Sequence, residues 1–390
     1  MSSTRRDEFL PFHRPYLGEE EISEVVDTLR SGWLTLGPKT ALFEERFAEF
    51  IGASHAIAVN SCTAALHLAL EAAGVGPGDE VITSPYTFTA TVAAIGYCGA
   101  TPVLADTTPD YPNIDCAQVE ASITAKTKAI VPVHFAGASC DLDRLRELAD
   151  GCGAMIVEDA AHALPARWRG QRIGAISEAT AFSFYAGKNM TAGEGGMVTT
   201  NDPALAERIR CIRLHGISKD AWKRYSAAGS WYYEVEHAGY KYNPTDISSA
   251  IGLHQLARLE TFHTRRLQIV ERYQKALKQI PGIITPVAPQ GAESAWHLFV
   301  IRLDADQFSV TRDEVIEMLK ADNIGTSVHF IPIHHHPHWQ RTLGVTKGQY
   351  PNATALYEAS ISLPLFPTMT DEEVDGVVAS LARIAGENRR

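Results

Sequence analysis

No stretch of this chain stays apolar for the roughly 20 residues a helix needs to cross a bilayer. A membrane span is therefore not expected. Cysteine is sparse: six residues, at 62, 98, 116, 140, 152 and 211, with no Cys-x-x-Cys pair among them. That spacing argues against a zinc ribbon and for reduced thiols, hence a cytoplasmic chain. Positive charge is the minority sign, 35 Lys and Arg against 46 Asp and Glu, a net charge of −11. General nucleic-acid binding is disfavoured, and an anionic substrate would need a locally positive site against a repulsive global field. The opening residues Met1–Glu8 are polar and lead into no apolar signal core, so secretion is not expected. Internal repeats and low-complexity tracts are also lacking. A hydrophobic fraction of 45% with 21% charged residues is that of a soluble globular protein. At 390 residues the chain exceeds one ordinary core, so two domains are the expectation.

Between about 55 and 200, short β-branched runs alternate with helical stretches. Strands are expected at His55–Val59, Glu80–Thr83, Pro102–Ala105, Lys128–Val133, Ala154–Glu158, Ala179–Phe184 and Gly195–Thr200. Helices are expected at Thr63–Ala73, near 88–98 and near 141–150. Such alternation predicts βα units and an α/β fold, a mostly parallel sheet with helices on both faces. Asp246–Leu277 is a long helical region with few breakers, closed by Pro281-Gly282. A domain boundary there gives a large domain at 1–280 and a small α+β domain at 281–390. The small domain should hold a strand at Trp296–Arg302, a helix at Thr311–Ala321, a strand near Gly325–Phe330 and a terminal helix after Asp371. The first fifty residues carry a helix at Glu19–Ser31 and a Gly/Pro-rich turn. They are expected to pack onto the second domain or line the site.

The most informative residue is Lys188, in Ser183-Phe-Tyr-Ala-Gly-Lys-Asn-Met-Thr-Ala-Gly-Glu-Gly-Gly196. Most lysines are solvated surface charges. This one follows a buried-strand pattern and enters a glycine-rich loop, and Val157-Glu-Asp-Ala-Ala-His162 lies upstream. A lysine with an upstream acid suits pyridoxal phosphate, whose aldehyde the lysine binds and whose pyridine nitrogen the acid keeps protonated. Asp159 falls at the carboxyl end of its strand, where open α/β sheets bind ligands. The alternative for it is a helix N-cap. Glu158 should face the other way. Asn60-Ser-Cys-Thr-Ala-Ala-Leu66 joins a strand to a helix, whose N-terminus could hold a phosphate through the Thr63 hydroxyl and a bare Ala64 N–H. A plain N-cap is the other reading. Phe88 could stack on a cofactor ring or be ordinary core. The tract His334-His-His-Pro-His338 lacks structural-zinc spacing, and no metal is expected.

These segments, with Leu34–Lys39, Gly239-Tyr-Lys-Tyr-Asn-Pro-Thr-Asp246 and Val328-His-Phe330, resemble the DegT/StrS sugar-nucleotide aminotransferases of the aspartate-aminotransferase superfamily. The likeness spans nearly the whole chain. It implies the PLP-dependent transferase type I fold and a homodimer with shared active sites. It implies Lys188 as the cofactor lysine and proton shuttle and Asp159 as the pyridine partner. Thr63, Ala64 and Ser183 would hold the phosphate, His162 would lie near the phenolic oxygen, and Phe88 would stack on the ring. Asn243 would reach the neighbouring subunit's phosphate. His329 and Tyr185 would lie at the sugar-binding end. The segments Phe9–Pro15, Ala295–Phe299 and Ile324–Phe330 are most similar to members that make UDP-4-amino-4-deoxy-L-arabinose for lipopolysaccharide. Three positions depart from the family pattern. Cys62 replaces a common Gly, His162 a common Gln, and Tyr185 a His of the arabinose-type members. The resemblance implies transfer of an amino group from glutamate, leaving 2-oxoglutarate, to C4 of a UDP-linked 4-keto sugar. A sugar dehydratase of the same fold is an alternative, which Lys188 argues against because dehydratase relatives carry His there. A non-catalytic cofactor- or sugar-binding regulator is another.

Overall fold

The structure, a computed structural model, describes residues 6–217 and 232–390. Residues 1–5, part of the polar opening segment, lie outside it. The central sheet has seven strands: β1 (His55–Val59), β2 (Glu80–Thr83), β3 (Thr101–Leu104), β4 (Thr127–Val131), β5 (Met155–Asp159), β8 (Ala179–Ser183) and β9 (Gly196–Thr200). The intervening β6 (Arg167–Trp168) and β7 (Gln171–Arg172) form a hairpin paired with β11 (Ala292–Glu293). The spatial order is β1-β9-β8-β5-β4-β2-β3. β9 runs antiparallel to both neighbours, and the other pairings are parallel.

The strand pattern explains this architecture. Ala56, Ala58, Ile82, Ile130, Ile156, Phe182 and Met197 enter one apolar core. Ile57, Val81, Val131, Val157, Ala181 and Val198 enter another. Successive side chains point to opposite faces, so both faces need a helical cover. On one side lie α2 (Pro38–Ile51), α6 (Leu142–Cys152) and part of α8 (Asp246–Leu277). On the other lie α3 (Cys62–Ala72), α4 (Thr89–Tyr97) and α7 (Pro203–Arg213). The mostly parallel α/β expectation holds.

A separate core gathers Leu10, Ile269–Leu277 of α8, and residues from β12 (Phe299–Leu303), α9 (Arg312–Ala321), β13 (Ser360–Leu363) and α12 (Asp371–Glu387). Two expectations here need correction. Gly325–Phe330 is not a strand: it touches β13 by a single bridge, Ser327 to Ser362, before its chain turns toward the cleft. The strand expected from Trp296 begins at Phe299, because Ala295 and His297 donate their N–H groups to the Gly137 and Ala136 carbonyls instead. The N-terminal segment reaches both places foreseen for it. Leu10 enters the second core, and His13 lies against the loop of Lys188.

Helix α1 (Glu19–Ser31) packs along α8, where Arg258 and Gln255 bind Glu21. Helix α2 starts at Gly37, which has no capping side chain. Asp246, 1% exposed at the start of α8, does that work from a distance. Its carboxylate accepts from Gly37 N–H at 2.9 Å, Lys39 N–H at 3.0 Å, Thr40 N–H at 3.0 Å and Thr40 Oγ1 at 2.6 Å. Negative charge at a helix N-terminus is favourable, and buried donors without acceptors are costly. Asp246→Ala should therefore cost about 3 kcal/mol, from charge-assisted bonds lost and donors left bare. Urea unfolding should show a lowered midpoint, with Asp246→Asn intermediate.

Candidate active site

Lys188 sits in the turn after β8, where its N–H donates to the Tyr185 carbonyl at 2.9 Å. The loop is pinned by Asn189, whose Nδ2 donates to the Leu164 and Ala295 carbonyls at 2.8 and 2.9 Å. Lys188 is half-buried. Desolvation lowers its pKa to about 8, partly offset by Cys62 and Asp159. An amine so placed is closer to its nucleophilic, neutral form at pH 7 than a surface lysine.

Asp159 ends β5 and is buried. Its Oδ1 accepts from Ala161 N–H at 3.1 Å and its Oδ2 from Thr91 Oγ1 at 2.7 Å. Burial raises its pKa, while Thr91, the Ala161 N–H and Lys188 act to lower it. Glu158 points away, as strand alternation requires, into a buried pairing with His134 Nε2 at 2.6 Å and Thr180 Oγ1 at 2.9 Å.

Four histidines surround Lys188. His162 is stacked on Phe330 at 5.6 Å and lies 4.4 Å from the His297 ring. His329 places Nδ1 2.9 Å from Ser362 Oγ, and His13 places Nε2 3.2 Å from the Ala186 carbonyl. Desolvation, with the Lys188 charge adding to it, holds His162 and His297 well below the ordinary value and His329 at about 4. Desolvation, then Arg266 and Lys188, brings His13 to about 4. All four are neutral at pH 7. Asn189 spends both amide protons on carbonyls, so its Oδ1 accepts from His297 Nδ1 at 3.1 Å. His297 Nε2 is thereby left as an acceptor.

The expected phosphate turn lies beside this cluster. Gly196 of β9 pairs with Ser183 on one side and Val59 on the other. A Cβ on Gly196 would stand 2.6 Å from the Ser61 carbonyl, so only glycine lets the strand approach the N-terminus of α3. Thr63 is half-buried there. Ala64 N–H is not bare, as the sequence reading had it: Ser61 Oγ accepts from it at 3.2 Å, so Ser61 is the N-cap. Phe88 caps α4, is 59% exposed and faces Phe330 at 5.8 Å. The ordinary-core alternative is thus wrong. Tyr185 is 53% exposed. Asn243 is bound by Lys241 Nζ at 2.6 Å and itself donates to the Pro244 carbonyl at 3.0 Å, outside the Lys188 histidine cluster. His334 and His335 both direct Nε2 to Thr354 Oγ1, at 3.0 and 3.1 Å.

The residues fit pyridoxal phosphate. Among the described residues His162 Nδ1 is buried without a partner, Asp159 keeps unused acceptor capacity, and Lys188 is depressed toward neutrality. A matching family model spans residues 15–382, described as the DegT/DnrJ/EryC1/StrS aminotransferase family. The chain belongs to this family. A similar relative is the spore coat polysaccharide biosynthesis protein SpsC of Bacillus subtilis, 54% identical over 97% of this chain and 98% of that protein. Among solved structures, the putative sugar aminotransferase Spr1654 of Streptococcus pneumoniae in its PMP-form is 37% identical, with a TM-score of 0.91 over 97% of this chain and 99% of that one. A PLP-form of the same protein matches with a TM-score of 0.90. Helicobacter pylori PseC, an aminotransferase involved in pseudoaminic acid biosynthesis, is 30% identical, with a TM-score of 0.90 over 98% and 100% of the two chains. The protein is thus a PLP-dependent sugar aminotransferase with the type I fold.

Several residues of this site escaped the sequence reading. Thr91, His13 and His297 lie 97, 175 and 109 positions from Lys188. Thr91 carries no local motif, and His13 and His297 sit inside the Phe9–Pro15 and Ala295–Phe299 segments without having been given a role. The histidines also predict an acid response of the cofactor-free chain. An unfolded histidine takes its proton near pH 6.5, whereas folded His13 and His329 do so at about 4. The unfolded state binds more protons in that window, so stability falls as pH drops from 6.5 toward 4 and is flat above it. After discounting for partial exposure, each should contribute on the order of 1 kcal/mol. Urea midpoints across pH 4–8 should show the slope, and a His13→Asn/His329→Asn variant should reduce it, leaving the part that His162 and His297 contribute.

Proposed function

We propose that the protein transfers an amino group from glutamate to C4 of a UDP-linked 4-keto sugar, serving the synthesis of amino sugars for the cell surface or for secondary metabolites. The observation that carries this is a desolvated lysine beside a buried aspartate, inside a family whose relatives are sugar aminotransferases. Pyridoxal phosphate, when bound, supplies the electron sink that lets an amino group pass between two carbonyl carbons. The chain's own residues do the rest. Lys188 would bind the cofactor, and its free amine would take a proton from the donor's Cα in one half-reaction and give one to the sugar C4 in the other. Asp159 holds a proton on the ring nitrogen through a charge-assisted bond. Ser183, Thr63 and the α3 N-terminus hold the phosphate. Phe88 would stack on the cofactor ring, and His162 would serve its phenolic oxygen. His329 and Tyr185 meet the sugar.

Asn243 belongs, in this reading, to the partner subunit's phosphate site, and the active unit is a homodimer. Its position outside the Lys188 cluster within one chain supports that assignment. Lys188→Ala should lose the visible absorption of covalently held cofactor and all steady-state turnover. Mixed and refolded with Asn243→Ala, it should regain partial activity, because one site of each mixed dimer carries neither lesion. Confirmed mixed dimers with no recovery would refute the shared site.

The sugar is a pentose in preference to a 6-deoxyhexose, on the likeness of Phe9–Pro15, Ala295–Phe299 and Ile324–Phe330 to the arabinose-type members. One methyl group is worth only about 1–3 kcal/mol of discrimination, so the preference is finite. With glutamate as donor, kcat/KM for a UDP-4-keto-pentose should exceed that for UDP-4-keto-6-deoxy-N-acetylhexosamine and for a dTDP-4-keto-6-deoxyhexose. A clear advantage for either hexose would overturn the pentose and leave the aminotransferase standing.

A further inference from the structure

Asp159 is held by a chain of hydroxyls. Thr91 Oγ1 is 2.7 Å from Asp159 Oδ2, and Thr87 Oγ1 is 2.7 Å from Thr91 Oγ1. All three residues are buried. Proton arithmetic gives the chain one direction. An ionised carboxylate only accepts, and each hydroxyl has one proton to give. Thr91 therefore donates to Asp159, and Thr87 must donate to Thr91.

The relay also ties two parts of the cleft together. Thr87 directly precedes Phe88, whose exposed ring caps α4, and Thr91 lies one turn into that helix, its N–H on the Phe88 carbonyl at 3.2 Å. The turn that presents the ring is thus the turn that orients the carboxylate. The remaining oxygen, Oδ1, is steadied by Ala161 N–H. With one donor on each oxygen, the carboxylate plane cannot rotate freely, and a lone pair stays available toward the cleft.

We infer that Thr91, oriented by Thr87, is a positioning residue that keeps the Asp159 carboxylate ionised and aimed at the cofactor's ring nitrogen. This rests on the role proposed above for Asp159. The hydroxyl bond opposes the desolvation that drives this carboxyl toward protonation. Without it, burial prevails and the acid becomes a weaker partner for a positive ring nitrogen.

The test uses Thr91→Val, which keeps the volume and removes the hydroxyl, and Thr91→Ser, which keeps the hydroxyl. Thr87→Val removes only the outer link. In the cofactor-free protein, the Asp159 carboxyl is followed by infrared difference spectra against Asp159→Asn across pH. Thr91→Val should raise its pKa by about one unit, Thr87→Val by less, and Thr91→Ser should match the parent. Affinity for pyridoxal phosphate, read by fluorescence quenching, should fall about tenfold in Thr91→Val and recover in Thr91→Ser. Circular dichroism checks that each variant is folded. An unshifted carboxyl in folded Thr91→Val overturns the relay, as does a Thr91→Ser variant that behaves like Val. If Asp159→Asn binds pyridoxal phosphate as tightly as the parent, the role of Asp159 itself falls, and the relay's purpose with it.

Discussion

Desolvation around Lys188 is the constraint on which the site depends. Each charge buried there must be suppressed or paired. Lys188 is drawn toward neutrality, Asp159 toward protonation, and His13, His162, His297 and His329 are kept from charging. The result is a cleft full of proton acceptors carrying little net charge of its own. Such a place suits a cofactor that brings its own phosphate and ring nitrogen, because the two charges enter a medium where electrostatic attraction is strong. The overall negative charge of the chain makes this local neutrality matter more for an anionic ligand.

Burial of a second cation follows the same logic. Arg266, 1% exposed in α8, has its pKa lowered by desolvation to about 9. Its Nη1 donates to the carbonyls of Trp296, His297 and Leu365, at 3.2, 3.4 and 3.0 Å. Carbonyl dipoles stand in for a carboxylate there. The same side chain binds the segment that carries His297 to the segment that follows β13, so the electrostatics of the cleft and the joining of the two cores share one residue.

Much of this was legible in the amino-acid order. Helices α1 and α8 were read to the residue, since breakers bound them clearly, and the seven central strands were placed within two residues because β-branched runs buried on both faces admit little else. Lys188, Asp159, His162 and His329 came from motif and resemblance, and they do meet in space. Other features were silent for a physical reason. Helix α2 has no cap of its own; its cap is a carboxylate 206 positions downstream of Thr40. Gly325–Phe330 has a strand-like composition yet pairs with β13 at Ser327 alone. Thr91 reads as one more helical threonine until the fold sets it against Asp159. The bare Ala64 N–H failed because Ser61, three residues earlier, competes for it better than a distant ligand can before binding.

Helix α8 runs for 32 residues, about 48 Å at the usual rise, without an interior proline. One end begins just after Asn243 and grips α2 through Asp246, and the other supplies Tyr273 and Leu277 to the second core. A rod of that length has the geometry of a lever. A tilt of a few degrees at the second core becomes a shift of a few ångströms at the far tip, where Asn243 and the α2 clasp sit. The four hydrogen bonds on Asp246 clamp that tip to α2 and oppose such a shift. Whatever stiffens that clamp sets how closely the two ends of the helix move as one.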